Sequence, residues 1–214
     1  MDLYNGTAPG VRELPDVVIE KVSVGAGDNN CYLLRCRSTG QQLMIAAASE
    51  PERLLDLCGG RLDIVVTTHQ HWDHWRDALP QVVAATGART YAGAPDAPAI
   101  GVPTDVGLGD GDVITCGGFS LTVIRLTGHT PGSVALLYQD PHGHPHLFTG
   151  DSLFPGGVGN TFGDASAFDS LYHDVTTKLF DALPDETWVY PGHGRDTTLG
   201  AERPSLAEWR SRGW

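Results

Sequence analysis

Residues 67–75 read Thr-Thr-His-Gln-His-Trp-Asp-His-Trp, directly after the apolar run Asp63-Ile64-Val65-Val66. Three histidines and an aspartate thus fall within six positions. Where a strand ends, residues i and i+2 project to the same side, so His69 and His71 converge on one point. Asp73 and His74 follow as the chain turns and face a second point. Imidazole and carboxylate are ligands for zinc, and also for iron or manganese. Histidine binds a metal in its neutral form, which is available near neutral pH.

One loop cannot complete such a site. Three further candidates stand at the ends of apolar runs, each framed by glycine or proline: His129 in LTGHTPGS, Asp151 in LFTGDSLF and His193 in VYPGHG. A glycine beside a ligand lets the backbone turn sharply after a strand and holds one side chain at the sheet edge. Taken singly, each of these is an ordinary turn residue. All four segments together, in this order, point to metal binding.

The elements that must position these residues are mostly strands. DVVIEKVSV (16–24) alternates apolar and polar residues, and CYLLRCR and QLMIAAA flank STGQ as a hairpin. Pro51 opens a short helix that Gly59-Gly60 closes, and RLDIVVTT is a buried strand leading into the histidines. A helix is expected from Trp75 to about Thr86, interrupted at Pro80, then a strand ARTYAG and a surface loop over 93–111. DVITC, FSLTVIRL, SVALLYQ and HLFTGD read as strands. A helix from about Ala165 to Leu183, a strand TWVYP and a polar C-terminal helix complete the chain. Neither half closes a core alone. Two sheets packed face to face with helices outside would bury both, as one domain over 1–214 whose half-domains divide near 115–120.

Composition narrows the function classes. The chain has 214 residues, 41% hydrophobic and 19% charged, as expected of a globular enzyme. Its formal net charge of −12 repels nucleic-acid backbones and anionic membranes, so a small molecule is the expected partner. No apolar run approaches the roughly 18 residues that span a bilayer. The acidic, polar start MDLYNGTAPGVRELPD lacks a basic segment and an apolar core, so no secretory signal is expected and the cytoplasm is the expected location. Cys31, Cys36, Cys58 and Cys116 show no Cys-x-x-Cys spacing and read as buried free thiols. The histidines of DPHGHPHLF (His142, His144, His146) read as a solvated hairpin tip.

The run Thr68-His69-x-His71-x-Asp73-His74, with His129, Asp151 and His193, resembles the metallo-β-lactamase-fold superfamily. TGDSLFPGG and YPGHG are most similar to its glyoxalase II (hydroxyacylglutathione hydrolase) branch. The resemblance covers roughly residues 17–200 and implies an α/β (α+β) fold: a four-layer αββα sandwich of two mixed sheets flanked by helices. It implies His69, His71 and His129 on one metal, Asp73, His74 and His193 on a second, and Asp151 bridging both. Two divalent ions are implied, with Zn2+ the first choice and iron or manganese the others. Lactamases proper usually carry cysteine or serine in place of Asp151, so a β-lactam is not the expected substrate.

Two cations about 3.5 Å apart lower the pKa of a shared water, and the hydroxide attacks a carbonyl that a metal polarises. A thioester suits such a centre, because a thiolate leaves with little protonation. Asp73 and Asp151 are the catalytic carboxylates of this scheme, with Asp73 also placed for proton transfer. The carrier thiol would be glutathione or, given the arginine- and alanine-rich bias of a GC-rich genome, another such as mycothiol. The same fold also hosts persulfide dioxygenases with a single iron, and lactonases.

Several positions depart from the pattern. Trp75 and Arg76 follow His74 where relatives often have small residues, and Ala46 stands where many carry aspartate. Trp72 and Trp75 are candidates for walling the pocket, with packing against the core the favoured alternative for Trp75. Asn160 stands where close relatives often have arginine, and Arg195 is a further candidate substrate contact, with an ordinary surface arginine the favoured alternative. The helical C-terminal domain that holds glutathione in long glyoxalase II enzymes has no counterpart in the roughly twenty residues after His193.

Overall fold

The computed structural model describes residues 2–3 and 9–213. Most of the polar leader (residues 1 and 4–8) and Trp214 lie outside the described residues.

Alternation along the central strands dictates the architecture. In β3 (Asn29–Cys36), Cys31 and Leu33 face one apolar layer while Tyr32, Leu34 and Cys36 face another. A strand apolar on both sides must be covered on both sides. The cover on one face is α1 (Pro51–Leu57) and α2 (Leu79–Thr86), whose Leu54, Leu79 and Val82 pack with Val22, Leu33, Met44 and Val65. On the other face lies a second sheet. Its strand β10 (Val134–Tyr138) sends Val134, Leu136 and Tyr138 into the shared layer and Ala135 and Leu137 outward. The outward face is covered by α3 (Ala165–Asp174), its π-helical continuation Val175–Phe180, and α5 (Leu206–Arg212) with buried Trp209. Three apolar layers thus separate four layers of secondary structure, the expected αββα sandwich.

Sheet one has seven strands in sequence order: β1 (Gly10–Glu13), β2 (Val17–Val24), β3, β4 (Gln42–Ile45), β5 (Ile64–Thr67), β6 (Arg89–Gly93) and β7 (Val106–Leu108). The first four pair antiparallel and the rest parallel. Sheet two contains β8 (Val113–Cys116), β9 (Phe119–Arg125), β10, β11 (His146–Gly150), β14 (Trp188–Pro191) and β15 (Thr197–Thr198). Its order is β15-β14-β11-β10-β9-β8, and only β11 and β14 run parallel. A small hairpin of β12 (Leu153–Phe154) and β13 (Gly157–Val158) follows β11, and α4 (Leu199–Glu202) follows β15. The chain passes from one sheet to the other between Leu108 and Val113.

Some local expectations differ from the structure. Pro80 opens α2 rather than interrupting a longer helix, because proline fits the first turn, where no N–H is needed. Trp72–His74 forms a single 3-10 turn before it. The leader contains β1, and the loop over 93–111 contains β7; both are short edge strands. His146 is fully buried in β11, its Nδ1 2.9 Å from Tyr190 Oη, so only His142 of that segment is a solvated tip. The four cysteines are free and buried, as expected. No helix among the described residues is long and apolar enough to cross a membrane.

Candidate metal centre

β5, β9, β11 and β14 each end at the same edge of the sandwich, and each is followed by one segment of the histidine–aspartate set. Backbone bonds sew this edge together: Val134 N donates to Thr68 O (2.9 Å) and Asn30 N to Gly192 O (2.7 Å). Two glycines make the close approach feasible. Gly150 adopts φ +50° just before Asp151, a left-handed turn that a side chain resists. At Gly192 a Cβ would collide with Asp151 Oδ1 and lie 3.0 Å from His74 Cε1.

The structure brings all seven candidate ligands together. They form three overlapping groups, His69/His71/His129, His69/His74/Asp151 and Asp73/His74/His193, with ligand atoms within 4.8 Å inside each group. His71 Nδ1 and His129 Nε2 are 2.9 Å apart, and His74 Nε2 and His193 Nε2 are 3.1 Å apart. Tetrahedral ligands at zinc–nitrogen bond lengths of 2.0–2.1 Å lie about 3.3 Å from one another. Asp151 sits between the groups: Oδ1 lies 3.4 Å from His74 Nε2, and Oδ2 lies 3.4 Å from His193 Nε2 and 3.7 Å from His129 Nε2. Asp73 Oδ2 lies 3.5 Å from His74 Nε2 and 3.6 Å from His193 Nε2.

Surrounding groups orient these rings. His129 Nδ1 lies 2.8 Å from the Asn160 carbonyl and His193 Nδ1 2.7 Å from that of Gly27, so each Nδ1 donates and each Nε2 is the nitrogen turned inward, a lone pair in the neutral ring. His69 Nδ1 is 3.1 Å from Thr68 Oγ1, while its Nε2 is buried without a hydrogen bond. Asp151 Oδ1 is buried in the same state. Unpaired buried acceptors among convergent imidazoles and carboxylates are what a divalent cation satisfies, so these residues fit one or more such ions. Asn29 Nδ2 donates to Asp73 Oδ2 at 3.0 Å.

Burial, joined by the neighbouring His74, holds His69 well below the usual imidazole range, and burial also lowers His129. Both are therefore neutral and able to ligate. Burial would raise Asp151, but the imidazoles of His193 and His74 outweigh it and keep the carboxyl well below its usual range. Burial would lower His193, yet Asp151 wins and raises it to about 9, so in the metal-free chain this ring is charged and metal binding expels its proton.

The remaining candidates separate. Trp72 stands 55% exposed beside Asp73, with the Arg76 guanidinium 4.0 Å from its ring centroid. Trp75 is turned away: its Nε1 donates to Gln70 O at 2.9 Å, and its ring packs on Gly101 and the helix-side core. Asn160 contributes its carbonyl to His129, while its side chain accepts from Phe162 N. Arg195 is exposed in the turn after His193.

Two residues escaped the sequence reading. Asp96 is fully buried and accepts from Gln70 N (2.9 Å), Gly132 N (2.7 Å) and Thr130 Oγ1, tying the His69–His71 loop to the His129 loop. Phe162, at φ +57° and 69% exposed, lies over the first histidine group, its ring centroid 5.6 Å from His71 and 6.0 Å from His129. An aromatic in a Gly-rich loop carries no periodic signal, and a lone aspartate among prolines reads as a turn.

Sequence and fold both match known proteins. The model of the metallo-beta-lactamase superfamily matches residues 24–193. A hydroxyacylglutathione hydrolase of Fuscovulum blasticum is 36% identical over 168 residues, covering 78% of this chain and 62% of the relative. The chain therefore spans somewhat less than two thirds of that relative's length. The hydroxyacylglutathione hydrolase GloC of Haemophilus influenzae is 30% identical over 211 residues, covering 87% of this chain and 95% of the relative. Among solved structures, ETHE1 from Myxococcus xanthus superposes with a TM-score of 0.77 at 28% identity, covering 90% of this chain and 84% of that one. The fold, the convergent ligand set and these matches lead to one conclusion: the chain belongs to the metallo-beta-lactamase superfamily.

Proposed function

We propose that the chain is a metal-dependent hydrolase that cleaves a small acyl thioester at a binuclear centre, zinc being the first choice of metal. The observation that carries this reading is the convergence of three overlapping ligand groups on one strand edge, with His74 and His69 each shared between two groups. His69, His71 and His129 would hold one ion, Asp73, His74 and His193 the other, and Asp151 would serve both. When bound, such ions make water nucleophilic at neutral pH and polarise the thioester carbonyl.

The chain's own residues supply the rest. The carbonyls of Asn160 and Gly27 fix the tautomers of His129 and His193, and Thr68 steadies His69. Asp73, one third exposed and held by Asn29, is the carboxylate with access to solvent, and it passes on the proton released at the site. Phe162 screens water from the flank beside His71. A thiolate leaves without a general acid, so none is required. The relatives named for hydroxyacylglutathione hydrolysis support the thioester class. The −12 charge agrees with a small-molecule substrate rather than a nucleic acid, and the cytoplasm is the location we propose.

The test is hydrolysis of lactoyl and formyl thioesters by zinc-reconstituted protein, with Asp151→Ala as control. Turnover that is lost in the variant supports the reading. Metal-loaded protein that leaves every thioester intact refutes it. Oxygen consumption on a persulfide with one bound iron would move the assignment to a dioxygenase, and turnover of lactones alone to a lactonase.

A further inference from the structure

The two flanks of the centre differ in chemistry. Phe162 makes the flank beside His71 and His129 apolar. On the Asp73 side opens a cavity of about 430 Å³, walled by the turn over 25–27, Asn29, Ser49, Trp72, Arg76 and Asp77. Its floor is the exposed Trp72 indole, held by the Arg76 guanidinium at 4.0 Å. Arg76 Nε in turn donates to Asp77 Oδ1 at 3.2 Å, so the two charges cancel.

Several polar atoms here have no hydrogen-bond partner among the described residues: the Arg76 terminal nitrogens, Asp77 Oδ2, Trp72 Nε1 and Ser49 Oγ. They mix donors and acceptors within one wall. A hydroxyl group both donates and accepts, and so matches such a wall. A carboxylate only accepts, and finds no net positive charge here, because Arg76 is paired with Asp77 and Asp73 adds a further carboxylate to the lining. An exposed indole with neutralised polar neighbours suits a ring that has one C–H-rich face and hydroxyls around its edge.

We propose that this cavity seats the thiol carrier of the substrate and selects a neutral, hydroxyl-rich, sugar-type carrier, with Trp72 as the stacking platform and the Arg76–Asp77 pair as a donor–acceptor clamp. The acyl group then lies toward Phe162. This assignment rests on the thioester reading above and adds the class of carrier to it.

Binding of uncleavable thioethers tests the proposal apart from catalysis. The probes are the S-methyl thioethers of N-acetylcysteinyl-glucosamine and of glutathione, titrated calorimetrically into the metal-loaded full chain. The sugar thioether is expected to bind at least about tenfold more tightly. Trp72→Ala and Arg76→Ala, both at exposed positions, are each expected to narrow that ratio by about five- to tenfold. Equal binding, preference for the tripeptide, or a ratio unchanged in both variants overturns the proposal. Hydrolysis of the matching thioesters separates the two claims. If the preference holds and neither thioester is cleaved, the hydrolase reading fails and only the selectivity of the cavity for the sugar-type thiol stands. If both are cleaved with no binding preference, the carrier assignment fails alone.

Discussion

Replacing Asp96 tests how the two histidine loops are held in register. Its carboxylate is fully buried and serves three donors: Oδ2 accepts from Gln70 N and Thr130 Oγ1, and Oδ1 from Gly132 N. In Asp96→Ala the Thr130 hydroxyl keeps Ser133 Oγ at 2.6 Å, so two backbone donors are orphaned. At about 1–3 kcal/mol for each unsatisfied donor, the loss is ~4 kcal/mol. Relief of the buried charge offsets part of it, leaving about 3 kcal/mol. Asp96→Asn keeps the Oδ2 bonds if its amide nitrogen takes the Oδ1 place. It then orphans only Gly132 N, for about 1–2 kcal/mol. Urea unfolding with a chelator present removes any contribution from bound metal. With a slope of about 2–3 kcal/mol/M, the alanine variant should unfold about 1 M earlier and the asparagine variant about half as much earlier. A midpoint moved by less than ~0.3 M in the alanine variant would refute the reasoning, as would an asparagine variant equal to alanine.

Three further perturbations follow from particular contacts. Gly192→Ala drives a methyl group into Asp151 Oδ1 and should cost metal content, measured by mass spectrometry of the washed protein, while the circular dichroism of the fold persists. Lys21 and Asp196 form a buried ion pair of 2.6 Å, with Lys21 Nζ also donating to Gly194 O, so Lys21→Met should cost about 3–5 kcal/mol in urea unfolding and Lys21→Met/Asp196→Asn clearly less. His146 is held down to about 3 by burial, joined by the nearby His144 and Arg12, against 6.5 when free. Between those values the unfolded chain binds a proton that the folded chain does not. Stability is therefore full above pH 6.5 and falls as the pH drops toward 3, by an amount of order a few kcal/mol. His146→Phe should flatten that slope, and an unchanged slope would contradict the assignment.

The legible parts of the fold were those where one physical requirement fixes residue type at fixed spacing. In DVVIEKVSV apolar and polar residues alternate with a period of two, the mark of a strand, and β2 forms there. The ligands were legible because few residue types bind metal and each stood where an apolar run stops. What escaped depends on partners far along the chain. Asp96 meets Gln70, Thr130 and Gly132, which lie 26, 34 and 36 positions away, and Lys21 meets Asp196 across 175. No local pattern announces such pairs. The edge strands β1 and β7 have four and three residues, too few to show alternation. Pro141 and Pro145 concealed His146, because prolines mark a turn and the buried strand begins directly after the second. Trp75 packs on the helix-side core, the alternative that the sequence favoured over a place in the pocket wall.

The most direct test is a titration of metal-free protein with zinc while the hydrolysis of an acyl thioester is followed. The rate is expected to be negligible without metal and to rise until two equivalents per chain are bound. A maximum at one equivalent would contradict the binuclear centre, and no turnover at any zinc content would contradict the thioesterase reading.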